Sequence, residues 1–305
     1  KMNYKWIDLT VEPKTGAIRQ QKYYLIHQIS FVVFNNIDTV IISIFCGLTT
    51  ASVYAIYNMV FSYVSSMFNT VFNSINFTLG QTYNQDKVKY VRFHDAYKTY
   101  FCALLFALSS VCYLIILPFI SLYTAGVTDI VYVDKFLPFL FCMIQLLSGA
   151  RSTEADLINI DRKAKETMWR TIIEAGINLI LSLVLVQFMG IYGVLLATIV
   201  AMLYRTNDIL FYANRVILKR MPIHAYKIVF VNFALFGIVV LVRHYYTIPI
   251  SNYFDFILWG FILTIIMIVV FVTINSLVSR DSYYYLKEII TTRLKGKKLK
   301  GQEND

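Results

Sequence analysis

Apolar residues run along this chain in long blocks with few interruptions. A hydrocarbon core of ~30 Å takes ~20 mostly apolar residues per helix, and eight stretches suit that length: 23–47, 51–79, 99–123, 131–149, 172–189, 192–211, 228–242 and 254–277. The seventh is short and the fourth turns polar at its end. Only "GLTT" separates the first two stretches, and only "GIYG" the fifth and sixth. Both read as tight hairpins in which Gly permits the turn. The pattern predicts an all-α, polytopic membrane helix bundle of eight transmembrane helices.

Polar residues inside such helices are costly, so their placement around each helix is informative. In the second stretch Asn58, Ser62, Ser65, Asn69, Asn73 and Asn76 recur every three or four residues. At ~100° per residue they form one stripe. The first stretch carries a broader polar face of Gln28, Asn35, Asp38, Thr39 and Ser43, with His27 near its start. Asp38 lies too deep to reach either interface easily and has no basic neighbour in its own stretch. It needs a partner helix or water. A third group comprises Arg151, Glu154 and Asp156, followed by Glu174 and Asn178. Two helices with aligned polar faces fit a water-filled cavity. The plainer alternative is hydrogen bonding between packed helices, as small polar residues commonly provide. Arg151 has a plain alternative too, snorkelling to the interface with Glu154 as a surface pair.

Composition agrees with a membrane class. Hydrophobic residues make up 58% of the 305 and charged residues 15%, with a mean hydropathy of +0.59, too little charge to cover a soluble domain of this length. The net charge of +10 follows topology. When the loops are assigned alternately to two sides, 26 of the 28 Lys and Arg fall on one side, leaving only Lys135 and Arg243 on the other. By the positive-inside rule both termini are cytoplasmic, and the charge implies no nucleic-acid partner. The four cysteines are scattered through apolar stretches with neither disulfide nor metal-ligand spacing. The tail from Arg280 places Leu286, Ile289, Ile290 and Leu294 at helical spacing among Lys and Arg. That suits a helix on anionic membrane lipid, or a frayed basic tail that only fixes topology. The opening segment is polar and has no signal-peptide layout, so the chain is expected to begin partway through a longer protein.

The stretch "NNIDTVIISIFCGLTTASVYAIYN" resembles the helix–hairpin–helix pattern of bacterial polysaccharide flippases, the Wzx-type members of the MATE-like (MOP) transporter superfamily. The carrying features are a membrane Asp (Asp38), a hairpin Gly nine residues on (Gly47) and a following Tyr (Tyr54), with Tyr57 and Asn58 next. "QQKYYLIHQISFVVFNN" and "GIYGVLLATIV" are similar to the family as well, and the resemblance covers roughly 20–277. It implies the second lobe of a two-lobe transporter. Residues 1–22 would be the cytoplasmic inter-lobe linker, 23–215 a six-helix lobe, 216–280 two additional helices and 281–305 a basic cytoplasmic tail. The first lobe would be the missing partner.

The resemblance further implies a multi-pass protein of the cell membrane that flips a lipid-linked oligosaccharide, a sugar repeat unit on undecaprenyl pyrophosphate. Polysaccharide polymerase and glycosyltransferases of the same system would be its neighbours. Arg151 would contact phosphate; Asn35, Asn36, Asn69 and Asn73 would contact the headgroup. Asp38 would couple to an ion, H+ or Na+, or serve as a gating group, with Thr39, Asn58, Glu174 and Asn178 lining the cavity. No cofactor is expected. A multidrug cation antiporter of the same superfamily is the nearest rival, but it calls for an acidic, aromatic pocket, whereas this stripe is mostly neutral amide. A membrane polymerase or glycosyltransferase would place catalytic groups in sizeable outer loops. Here those loops are short, their main acids are Asp129, Asp134 and Asp255, and no HExxH, GxSxG, P-loop or GxGxxG motif occurs. The chain is expected not to be an enzyme.

Overall fold

The computed structural model describes residues 25, 28, 29, 32, 36–128, 130–246 and 248–302. The side chains of 71, 72, 290 and 293–302 are excepted. The proposed linker, most of the first predicted span with His27 and Asn35, and Asp129 lie outside the described residues.

Every regular element among the described residues is helical. α1 spans Asn36–Phe45, α2 Gly47–Gln85, α3 Lys87–Tyr123, α4 Leu137–Ile160, α5 Ala164–Met189 and α6 Ile191–Tyr212. A π-helical turn, Ala213–Ile217, continues α6; α7 (Ile223–Tyr245), α8 (Tyr253–Val278) and α9 (Arg280–Gln302) complete the order. Among the described residues five helices are long and apolar enough to cross a membrane: α3, α5, α6 with its π turn, α7 and α8. This is a helical membrane protein. α2 is long enough and carries no charge, but its amides and hydroxyls hold its hydropathy down. α4 ends in Arg151, Glu154 and Asp156, which dilute its apolar run.

The outer helices show where lipid belongs. α8 is apolar all round, and only Phe271 and Asn275 on it are buried, while Phe254 is 73% exposed. A helix greasy on every face with a mostly open surface is solvated by hydrocarbon. The core lies around α3, which packs against α2, α4, α7, α8 and α9, while α6 packs against α4 and α5. Phe141 of α4 anchors the α2 seam, with its ring 5.2, 5.9 and 5.8 Å from those of Tyr54, Tyr57 and Phe61.

The connections are tighter than the expected "GLTT" and "GIYG" turns. Only Cys46 separates α1 from α2, and Gly47 takes φ +85°. Gly190 alone joins α5 to α6 at φ +55° and ψ −132°, a conformation that a Cβ resists. Gly193 then lets the two helices close, because a Cβ there would stand 2.3 Å from the Leu185 carbonyl oxygen.

Candidate functional site

Two polar clusters inside the helices meet along one face of α5. Thr167, Thr171, Glu174, Asn178 and Ser182 recur every three or four residues and line that face, and all but half-buried Thr171 are buried.

The deeper cluster surrounds Asp38, which is 4% exposed. Thr198 of α6 donates to Asp38 Oδ2 at 2.8 Å, and Asn178 Nδ2 stands 3.5 Å from Oδ1. Thr198 Oγ1 also lies 3.2 Å from Asn178 Oδ1 and 3.1 Å from the Val194 carbonyl, and Ser182 donates to Asn178 Oδ1 at 3.0 Å. One hydroxyl proton on Thr198 thus faces three acceptors. The cluster is rich in oxygen and short of donors, and no ion pair with Asp38 occurs among the described residues. Its partners come from α5 and α6. Asp38 turns toward the α5–α6 hairpin, and no Asn of the α2 stripe hydrogen-bonds to it among the described residues.

The second cluster is a ladder of charges. Arg151 donates to Glu174 Oε1 at 2.5 Å, and Arg205 Nε stands 3.6 Å from Glu174 Oε2. Arg205 also binds Asp208 at 2.5 Å and donates to Thr171 at 3.1 Å, while Arg170 bonds the other oxygen of Asp208. Three guanidiniums share two carboxylates. Arg151, Glu174 and Arg205 of the ladder, with Gln28, Ser148, Ser152, Asp156 and Asn159, border a polar cavity of about 360 Å³. Arg151 thus keeps one face on an open cavity, and the proposed Arg151–Glu154 surface pair is absent. Glu154 is fully buried against Lys98 of α3 at 2.6 Å. At the turn into α5, half-buried Lys163 donates to Glu166, which lifts the Lys163 pKa above its ordinary value.

The remaining candidates lie apart. Asn69 and Asn73 are exposed, and Asn58 is half-buried, so the α2 stripe lies beside the buried face of its helix. Asn36 is exposed and spends its amide on the Val32 carbonyl at 2.7 Å, and Thr39 is exposed. Sequence reasoning passed over Thr198 and Ser182, and counted Lys98 and Arg205 as loop charges although both are buried. The signal for Ser182 was present, because the α5 residues repeat with the same period as the α2 stripe; Thr198 on α6 carried none. At the opposite end Tyr57 accepts the Asp134 backbone N–H at 2.9 Å, and Asp134 caps α4 through the Phe136 and Leu137 amides at 2.7 and 3.0 Å. That acid of the 124–136 loop has a structural post. No group of three or more His, Cys, Asp or Glu side chains that could hold a metal ion occurs among the described residues. Comparison with family models, with curated proteins and with solved structures finds no match.

Proposed function

We propose that the chain is a lobe of a MATE-like flippase that carries a lipid-linked oligosaccharide across the cell membrane for surface polysaccharide synthesis. On this reading eight helices span the bilayer with both ends in the cytoplasm, and a first lobe completes the path. The observation that carries the reading is the contrast between faces. α8 is apolar all round, whereas α2 keeps Asn69 and Asn73 open and α4 turns Arg151 to a polar cavity. Open amides in hydrocarbon are expensive, so these faces belong on an aqueous path. Neutral amides and hydroxyls replace the water around a sugar, and a guanidinium matches a phosphate.

Asp38 is the coupling group. Apart from the Asn178 amide nitrogen, the groups around this carboxylate are oxygens, from Asn178, Ser182, Thr198 and the Val194 carbonyl; such a set suits a proton or a hard monovalent cation and offers nothing to a soft metal. Filling the set would draw α1 onto the α5–α6 hairpin, giving the ion a differential grip on two arrangements of the lobe.

The test is genetic. A strain lacking the protein should lose surface glycan and accumulate the lipid-linked unit, while its tolerance of toxic cations stays unchanged. Asp38→Asn and Arg151→Ala should fail to restore glycan at normal protein levels in the membrane. Full restoration by either variant removes that residue from the mechanism. Loss of cation tolerance with normal glycan would favour the multidrug antiporter instead.

A further inference from the structure

A crevice of about 760 Å³ opens between α6 and α7, with Leu147 of α4 also lining it. It shares no residue with the Asp38 cluster or with the cavity at Arg151. The two helices take their packing elsewhere, α7 on α3 and α8, and α6 on α4 and α5. Each turns one face to the crevice. On α6 these residues are Leu203, Thr206, Asn207 and Leu210; on α7 they are Ile223, Tyr226, Lys227, Phe230 and Phe233. Both sets follow the three- and four-residue spacing of a single helix face. The faces also match in polarity. The Tyr226 hydroxyl donates to the Asn207 carbonyl at 3.4 Å, which makes a polar rim with Lys227. Farther along both helices from the loop that joins them, the lining is Leu203, Val229, Phe230 and Phe233. Phe230 is 75% exposed and Leu203 is exposed as well, so this apolar part is open to the hydrocarbon around the bundle.

The rim carries charge of one sign. Residues 213–227 include Arg215, Lys219, Arg220 and Lys227 and no acid. Arg220 is spent on Asp95, which it grips at 2.5 and 2.6 Å. Exposed Lys227 rests its ammonium on the Val278 carbonyl at 2.8 Å and forms no ion pair among the described residues. Asp208, whose charge is felt at the Tyr226 hydroxyl, is already held by Arg170 and Arg205. A basic loop that only fixed sidedness would ask nothing of the helices beneath it. Here an apolar slot lies beneath an unpaired cation, a tyrosine and an amide, and that sequence of groups follows a phospholipid from tail to headgroup. An apolar slot also stays dry, so in a membrane hydrocarbon fills it.

We propose that the crevice binds an anionic phospholipid, with one acyl chain between α6 and α7 and the phosphate on the Lys227 ammonium. The chain supplies packing where the two helices stand apart, and the phosphate balances a rim that has no acid to spare. The site rests on the membrane class of the chain and not on the nature of the cargo.

Native mass spectra test it, with the full chain released from nanodiscs of equal phosphatidylglycerol and phosphatidylcholine that carry the same acyl chains. The wild type should retain phosphatidylglycerol over phosphatidylcholine by about fivefold or more, the worth of one Lys beside an anionic lipid. Lys227→Gln should lose most of that preference. Val229→Trp, which fills the slot, should lose most of the retained phosphatidylglycerol; should it misfold, Leu203→Trp fills the slot from its open side. Equal retention of the two lipids by the wild type, an unchanged preference in Lys227→Gln, or full retention in a folded slot-filling variant overturns the proposal. So does displacement of phosphatidylglycerol by an equal amount of undecaprenyl phosphate, which would assign the crevice to the carrier lipid.

Discussion

At Asp38 a single carboxylate faces a hydroxyl that has one proton and three acceptors. A cation entering this set satisfies oxygens that hydrogen bonding leaves wanting, so the ion should stabilise the fold. With Na+ at a hundred times its dissociation constant, mass action adds about 2.7 kcal/mol. The expected result is a rise in thermal midpoint in NaCl over an equal concentration of choline chloride, abolished in Asp38→Asn. Equal midpoints in the two salts at neutral pH would assign the site to a proton. Thr198→Val keeps the shape and removes the one good donor to Asp38. It should cost about 1–3 kcal/mol in chemical unfolding, the usual penalty for a buried carboxylate that loses a hydrogen bond. Depth and isolation made Asp38 legible in the sequence. Its partners were not, because Thr198 lies 160 positions away and a lone Thr in an apolar run looks like any small packing residue.

Among elements, α7 and α8 are tied by reciprocal amide bonds, Asn232 to Asn275 and back, both at 2.9 Å. Both residues are fully buried on helices that are otherwise largely exposed. Each single Ala variant leaves the opposite Oδ1 without its partner, while the opposite Nδ2 keeps its own-helix carbonyl; a double-mutant cycle between them should give a coupling of about 0.6–1.7 kcal/mol, the range for hydrogen bonds between membrane helices. Zero coupling would mean that apolar packing alone joins the pair. Gly193→Ala should be worse than its size suggests, about 1–3 kcal/mol in unfolding free energy, because the new methyl meets backbone at 2.3 Å and has no flexible neighbour to push aside. The period of polar residues revealed the α2 stripe and equally marked the α5 stripe, which only the folded arrangement shows to be buried. Periodicity tells which residues share a face; it does not tell what covers that face.

For the whole molecule, the long apolar runs sufficed for an all-helical membrane bundle, and five helices meet the length and hydropathy of a span. α2 and α4 fall short because polar side chains occupy them, and hydropathy averages over faces that have different surroundings. The loop charge count supplies the remaining expectation, sidedness. In a Cys46→Ala background, Lys135→Cys should react with an impermeant maleimide on intact cells, and Lys163→Cys only after the membrane is opened. The three remaining cysteines are buried and should stay silent. Labelling of both positions from outside would break the topology on which the flippase reading stands.

The one-residue joint at Gly190, closed tight at Gly193, has a mechanical consequence. α5 and α6 cannot part from each other without first breaking backbone contact, so they behave as a single stiff lever. Any movement of this hairpin must then slip along the seams on either side of it, against α1 at Asp38 or against α4 at Arg151. Whatever occupies either cluster therefore acts as a brake on the same moving part.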